Sequence, residues 1–246
     1  MFMREDYHVT DWLKIRMPSI KEVFDYKENR YHSMVSALTC IPSDMISELY
    51  AKGIDYRYLD DFELFAMLFI SLTSEDVGIL LVDINPSKCE VLKDPETGKL
   101  EIHFGEHVMD ELVYKRMVRY LRRIHYISPK PRIATNDQTF EVLLEVDKMD
   151  KRKAARRKSK SQLFPIVSAM MAYPGFKYKR TELDQVGLFE FYDTMQRSQI
   201  IENSLALLRG MYSGMVDSSK IDKNAYNWMR EIEPPSPSLG MNTKVS

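Results

Sequence analysis

The stretch from Asp60 to Leu72 constrains the fold of this chain more than any other. Asp60-Asp61 followed by Glu63 places acids where a helix begins, and Phe62 to Leu72 then runs on with almost no polar interruption. At about 3.6 residues per turn its apolar side chains surround the helix axis. A helix that is apolar on every side has to be enclosed by other elements, so the rest of the chain must supply them. With 246 residues there is enough chain to do so, as one large domain or two small ones.

The flanking sequence reads as those other helices. Pro18-Ser19-Ile20 with Glu22 is a capping-box signature, and Val23, Phe24, Tyr31, Val35 and Leu38 continue at helical spacing, with Asn29 a candidate break. Ile41-Pro42-Ser43-Asp44 stops one helix and caps the next, which Gly53 ends. The period then changes. Ile79 to Ile84 is a short apolar run, and Cys89 to Leu92 and Leu100 to Phe104 flank the turn Asp94-Pro95-Glu96-Thr97-Gly98 as a hairpin. From Glu106 to His125 Met109, Val113, Met117, Tyr120 and Ile124 form one apolar stripe, acids first and bases last, as the helix dipole favours. A helix from Asp137 through Phe140, Leu143 and Leu144 is expected to dissolve into a basic segment.

Beyond that segment the pattern predicts a helix from Leu163 to Tyr173, a Pro174-Gly175 turn and a helix capped by Thr181 with Asp184. A packing seam follows at Ile201, Leu205, Leu208, Tyr212 and Met215, and then a last short helix from Asp222 carrying Trp228 and Met229. The expected class is mainly α: a helical N-terminal unit, residues 1–147, with a small β-hairpin insertion; a basic linker, 148–161; a smaller all-helical unit, 162–233; and a flexible tail, 234–246.

The formal net charge of -1 hides an asymmetry. Lys148 to Lys160 holds eight Lys and Arg against Asp150, a local +7, so the remainder sums to -8. The two cysteines, Cys40 and Cys89, have no CxxC spacing and are expected as free thiols in a reducing compartment. Met1 to Asp11 has no apolar signal-peptide core, and no apolar stretch approaches the roughly 20 residues of a membrane helix. A cytoplasmic protein, that of the host cell, is the expectation.

No constellation for catalysis can be assembled by spacing. His103 and His107 are four apart, but Gly105 separates a strand from the next helix start and no Glu follows the first His. Asp217 and Asp222 lack the calcium-loop pattern. There is no G-x-S-x-G and no phosphate-binding glycine loop, and most of the nine glycines sit at turns or helix ends. The chain is therefore expected not to be an enzyme, to need no metal or cofactor, and to work by binding. Its candidate partner-binding residues are Lys151, Arg152, Lys153, Arg156, Arg157 and Lys158 in the basic run, and Met170 and Met171 from its sixteen methionines. Nucleic acid is disfavoured, because no aromatic residue is interleaved with the bases and the whole chain is slightly acidic.

Two sets of residues carry a family resemblance. One is Pro18-Ser19-Ile20, Met34 to Thr39, Pro42-Ser43-Asp44, Gly53 to Tyr56 and Asp60 to Phe65; the other is Tyr173 to Tyr178, Phe189 to Asp193, Leu208 to Asp217 and Asn227-Trp228-Met229. In this order, with a charged segment between, they resemble proteins of the tail modules of phages and prophages of Gram-positive bacteria, in particular the tail assembly chaperones. The resemblance implies a chaperone of virion assembly that coats the long helical tape measure protein, recruits tail tube subunits and leaves as the tube polymerises. It carries no functional residue over, and self-association stays open. The rivals are a nucleic-acid-binding phage protein using the basic run and a permanent structural part of the tail.

Overall fold

A computed structural model describes residues 5–156, 160–215, 217, 219 and 221–232. The chain is mainly α, and nine α-helices lie among these residues. The tail expected at 234–246, and Arg157 and Lys158 of the basic run, lie outside them.

Local chemistry starts most helices where the sequence places them. Helix α1 (Ile20–Asp25) opens on Ser19, whose hydroxyl accepts from the Glu22 amide at 3.2 Å while Glu22 accepts from the Ser19 amide at 2.8 Å. The chain turns at Lys27, with φ of 74°, rather than at Asn29, and enters α2 (Glu28–Thr39). A single 3-10 turn at Pro42–Asp44 leads into α3 (Ile46–Ala51), and Gly53 follows at φ 73°, a conformation that spares it the Cβ clash other residues would meet. Asp60 and Glu63 form the same reciprocal cap at the start of α4 (Asp61–Phe69).

Helix α4 lies between two cores. Phe62, Phe65, Ala66 and Phe69 enter the main one, and Leu64 enters a second with Ile46, Leu49, Tyr56, Phe140 and Leu144. Its enclosure is incomplete, since Met67 is 37% and Ile70 49% exposed. Within the apolar run Ile79 to Ile84, Ile79, Leu80, Leu81 and Ile84 are buried, and the run forms no regular strand. After the short α5 (Ser74–Val77) it hydrogen-bonds to the strand Lys14–Ile15 through Arg16 N to Leu80 O and Val82 N to Lys14 O, and Asp83 turns it away at φ 58°.

The strands Tyr7–His8 (β1) and Lys14–Ile15 (β2) pair near the N-terminus. The expected hairpin forms from β3 (Glu90–Lys93) and β4 (Leu100–Phe104), and a third antiparallel strand, β5 (His107–Met109), joins it. His107 therefore sits on a strand, across a Gly105-Glu106 turn that Gly105 makes at φ 63°. Helix α6 starts later than its apolar pattern, at Glu111–Ile124, capped by Asp110. Met109, Met117, Tyr120 and Ile124 of the stripe are buried.

Helix α7 (Asp137–Arg156) does not stop at the basic run, because Lys, Arg and Ala favour helix and Asp147 is joined to Lys151 one turn on. Helix α8 (Leu163–Ala172) follows, then a single 3-10 turn at Leu183–Gln185 in place of a Thr181-capped helix, and the long α9 (Leu188–Tyr212). Residues on both sides of 148–161 share the main core: Leu163, Met170, Val186, Leu188, Phe189 and Phe191 pack with residues from Val9 to Ile124. Backbone bonds from Ile20 N to Val186 O and from Leu188 N to Pro18 O, 3.1 and 2.8 Å, tie the two together.

Candidate partner-binding surface

The basic helix is anchored by its inner face. Asn136 Oδ1 accepts from the Thr139 amide at 2.8 Å and begins the helix. Phe140 and Leu144 then enter the second core, and Asp147, 2% exposed, follows on the same side. Its Oδ2 accepts from the Ser47 amide at 3.0 Å, the Ser47 hydroxyl at 2.6 Å and Lys151 Nζ at 2.7 Å. Arg132 Nη1 stands 3.7 Å from Oδ1. Asp147 thus caps α3 from 100 residues away and locks α7 onto it.

Lys151 is spent in that lock. Its ammonium also bonds Ser47 Oγ at 3.1 Å and pairs with Glu48, and burial pulls it below the ordinary lysine pKa. Arg152, Lys153 and Arg156 are exposed on the outer side, with Lys153 loosely paired to Asp150 at 3.9 Å. The sequence-expected methionines fall elsewhere: Met170 is 7% exposed in the main core and Met171 is half-buried.

Sequence reasoning missed what lies beside those bases. Val142, Val146 and Met149 are 62%, 42% and 51% exposed on α7. They step four and three residues, and Lys153 and Arg156 continue the same stepping, so one outward stripe is apolar at its start and cationic at its end. The signal was present in the spacing, on the side opposite Phe140 and Leu144.

Helix α9 offers a second stripe. Leu188, Phe189 and Phe191 are buried at its start. Along its second half the expected packing seam is largely uncovered: Ile201 and Leu208 are half-buried, Leu205 is 38% exposed, and Tyr212 and Met215 are each 87% exposed. Gly214 at φ 72° ends the helix, with Met215 N bonding back to Gly210 O at 3.0 Å. Ser204 is the one buried residue there, and its hydroxyl has no hydrogen-bond partner among the described residues.

The histidine pair is occupied otherwise. His103 Nε2 bonds Glu101 at 2.9 Å, and His107 stacks on Trp12 with ring centroids 5.2 Å apart. Among the described residues no three His, Cys, Asp or Glu side chains are placed to hold a metal ion, and no helix is long and apolar enough to cross a membrane.

Fold and surface together define a mainly α protein with two solvent-facing helical stripes. Residues 154–233, which contain α8, α9 and the segment after it, match the family described as YomV second domain, and this connects that part of the chain to a phage-associated domain family. No curated protein and no solved structure matches the chain.

Proposed function

We propose that this chain is a non-enzymatic binding protein of phage assembly, a tail assembly chaperone that holds the tape measure protein and recruits tail tube subunits. The observation that carries the reading is the pair of outward stripes, Val142-Val146-Met149 on α7 and Leu205-Leu208-Tyr212 on α9. Both step four and three residues, the spacing at which a second helix with its own apolar repeat lies alongside. Arg152, Lys153 and Arg156 extend the first stripe toward acidic residues of such a partner. Stripes this short bury less than the roughly 1,000 Å² of a stable interface, which suits contacts that must be exchanged as a tube grows. The phage-associated family at residues 154–233 and the resemblance to tail-module proteins agree with this setting.

The test is co-purification of the tagged chain from phage-producing cells, followed by identification of what it retains. A long helical protein and a tube subunit are expected with the parent chain and lost with Val146→Glu combined with Leu205→Glu. Recovery of neither by the parent, or of both by the variant, refutes the reading. Gel analysis of purified virions distinguishes a permanent tail component, which would be present, from a chaperone, which is absent. Steeply salt-dependent binding to generic DNA would instead favour the nucleic-acid reading.

A further inference from the structure

A second concentration of positive charge lies far from the α7 run in the sequence and has a different shape. Residues of α6 and α9, with Asp61, Glu231 and Ile232, line a cleft of about 920 Å³. Its floor is apolar, with Val118, Tyr126, Ile127 and Phe189, and its walls carry Lys115, Arg119, Arg122, Arg123 and Arg197. The cations on α6 recur at steps of three and four because that face of the helix is turned away from the stripe that packs Met117, Tyr120 and Ile124 into the core.

Part of this charge is met inside the protein, since Lys115 pairs with Glu111 at 2.5 Å and Arg122 stands 3.8 Å from Asp61. The guanidiniums of Arg119 and Arg123, both exposed, make no hydrogen bond or ion pair with any described residue. Arg197 is positioned by donating Nη1 to Trp228 O and Arg230 O, both at 2.8 Å, which are neutral acceptors. Arg122 is held by Thr39 O at 2.8 and 3.0 Å. Of the lining acids besides Asp61, Asp193 accepts from the Tyr126 hydroxyl at 3.5 Å and offsets part of the Arg197 charge; Glu231 is exposed at the edge. Two guanidiniums are thus locked in orientation and two are available, all facing one concavity. Guanidinium forks bind phosphate oxygens in pairs, with geometry that a lysine cannot reproduce.

We propose that the cleft between α6 and α9 binds a compact phosphate-bearing anion of the triphosphate type. The uncommitted pair, Arg119 and Arg123, is separated by about 6 Å along the helix, the span of a few linked phosphates rather than the track of a nucleic-acid strand. This site is separate from the two stripes assigned to protein partners and stands or falls without them.

Calorimetric titration of the full chain with inorganic triphosphate tests it, with two variants as controls. Saturable binding below about 1 mM is expected, weakened about tenfold or more by Arg119→Gln with Arg123→Gln. Both side chains are exposed, so the variant should keep the parent's circular dichroism and melting temperature. The triple variant Arg152→Gln, Lys153→Gln, Arg156→Gln changes the other basic cluster and should bind as the parent does. No binding by the parent, undiminished binding by the cleft variant, or equal loss in the α7 variant each overturns the proposal. So does tighter binding, per phosphate, of an oligothymidylate through the same arginines, because that would make the ligand a nucleic-acid backbone.

Discussion

Replacing Glu28 should loosen the joint between the first helices and α8, and the cost can be worked from its contacts. Glu28 is the first residue of α2 and only 8% exposed. Its carboxylate accepts from the amides of Gln162 and Leu163 at 2.7 and 2.9 Å and from the Ser161 hydroxyl at 2.5 Å. It therefore caps α8 from more than 130 residues away, a negative charge on the positive end of a helix. Hydrogen bonds to a charged group contribute about 1.5–3 kcal/mol each, but they do not add. In Glu28→Ala the amide of Leu163, a residue 0% exposed, is orphaned, whereas Ser161 and Gln162 are exposed and can turn to water. The expected loss is about 3 kcal/mol for Glu28→Ala, and about 1 kcal/mol for Glu28→Gln, which keeps one acceptor oxygen. Urea unfolding at pH 7, followed by circular dichroism, gives both values. A loss under about 0.5 kcal/mol for Glu28→Ala would refute the reasoning.

Burial alone would raise the Glu28 pKa, but the bonds from Ser161, Leu163 and Gln162 and the nearby His32 outweigh it and leave it below the ordinary 4.5. A folded-state value lower than the unfolded one means that this stability is present above the ordinary glutamate value. It disappears as pH falls through the folded one, and Glu28→Gln should flatten that part of the acid-unfolding profile.

Asp147→Ala should cost about 3 kcal/mol in the same assay, because Lys151 and the Ser47 amide lose a buried partner; a neutral result would contradict the anchoring of α7. His125 donates Nδ1–H to Leu121 O at 2.8 Å and its Nε2 accepts from the Tyr31 hydroxyl at 2.6 Å, and its pKa is pushed down to about 4, chiefly by burial. The unfolded chain takes up that proton near pH 6.5 and the folded one only near 4. Stability should thus fall by up to about 3 kcal/mol as pH drops through that window, and His125→Gln should reduce the slope. Burial pushes the Cys40 thiol up to about 11 and raises Cys89 less far, so a chromogenic disulfide at pH 8 should titrate both slowly and Cys40 last; a rapid two-thiol burst would be the contrary outcome.

What could be read from the sequence is what neighbours in the chain decide. The caps at Ser19 and Asp60, the Gly53 stop, the Gly98 turn and the α6 stripe all depend on residues within four or five positions, and all occur. The third strand escaped because three residues, His107 to Met109, gain their pairing only from β4, while Met109 also fits the helical period that follows. The basic run read as linker because its residues bury little; the ion pairs of Lys151 with Asp147 and Glu48, which hold the start of the run against α3, span up to 103 positions. The α9 seam had the spacing of a packed face, and spacing cannot say whether the packing partner is in the same chain.

The central claim, that the outward faces of α7 and α9 hold a helical partner, is tested most directly by amide hydrogen exchange on the purified chain with and without the tape measure protein. Protection should increase across residues 142–156 and 201–212 and stay unchanged in the main core. Unchanged exchange in both helices, at partner concentrations where a complex is seen by light scattering, would contradict it.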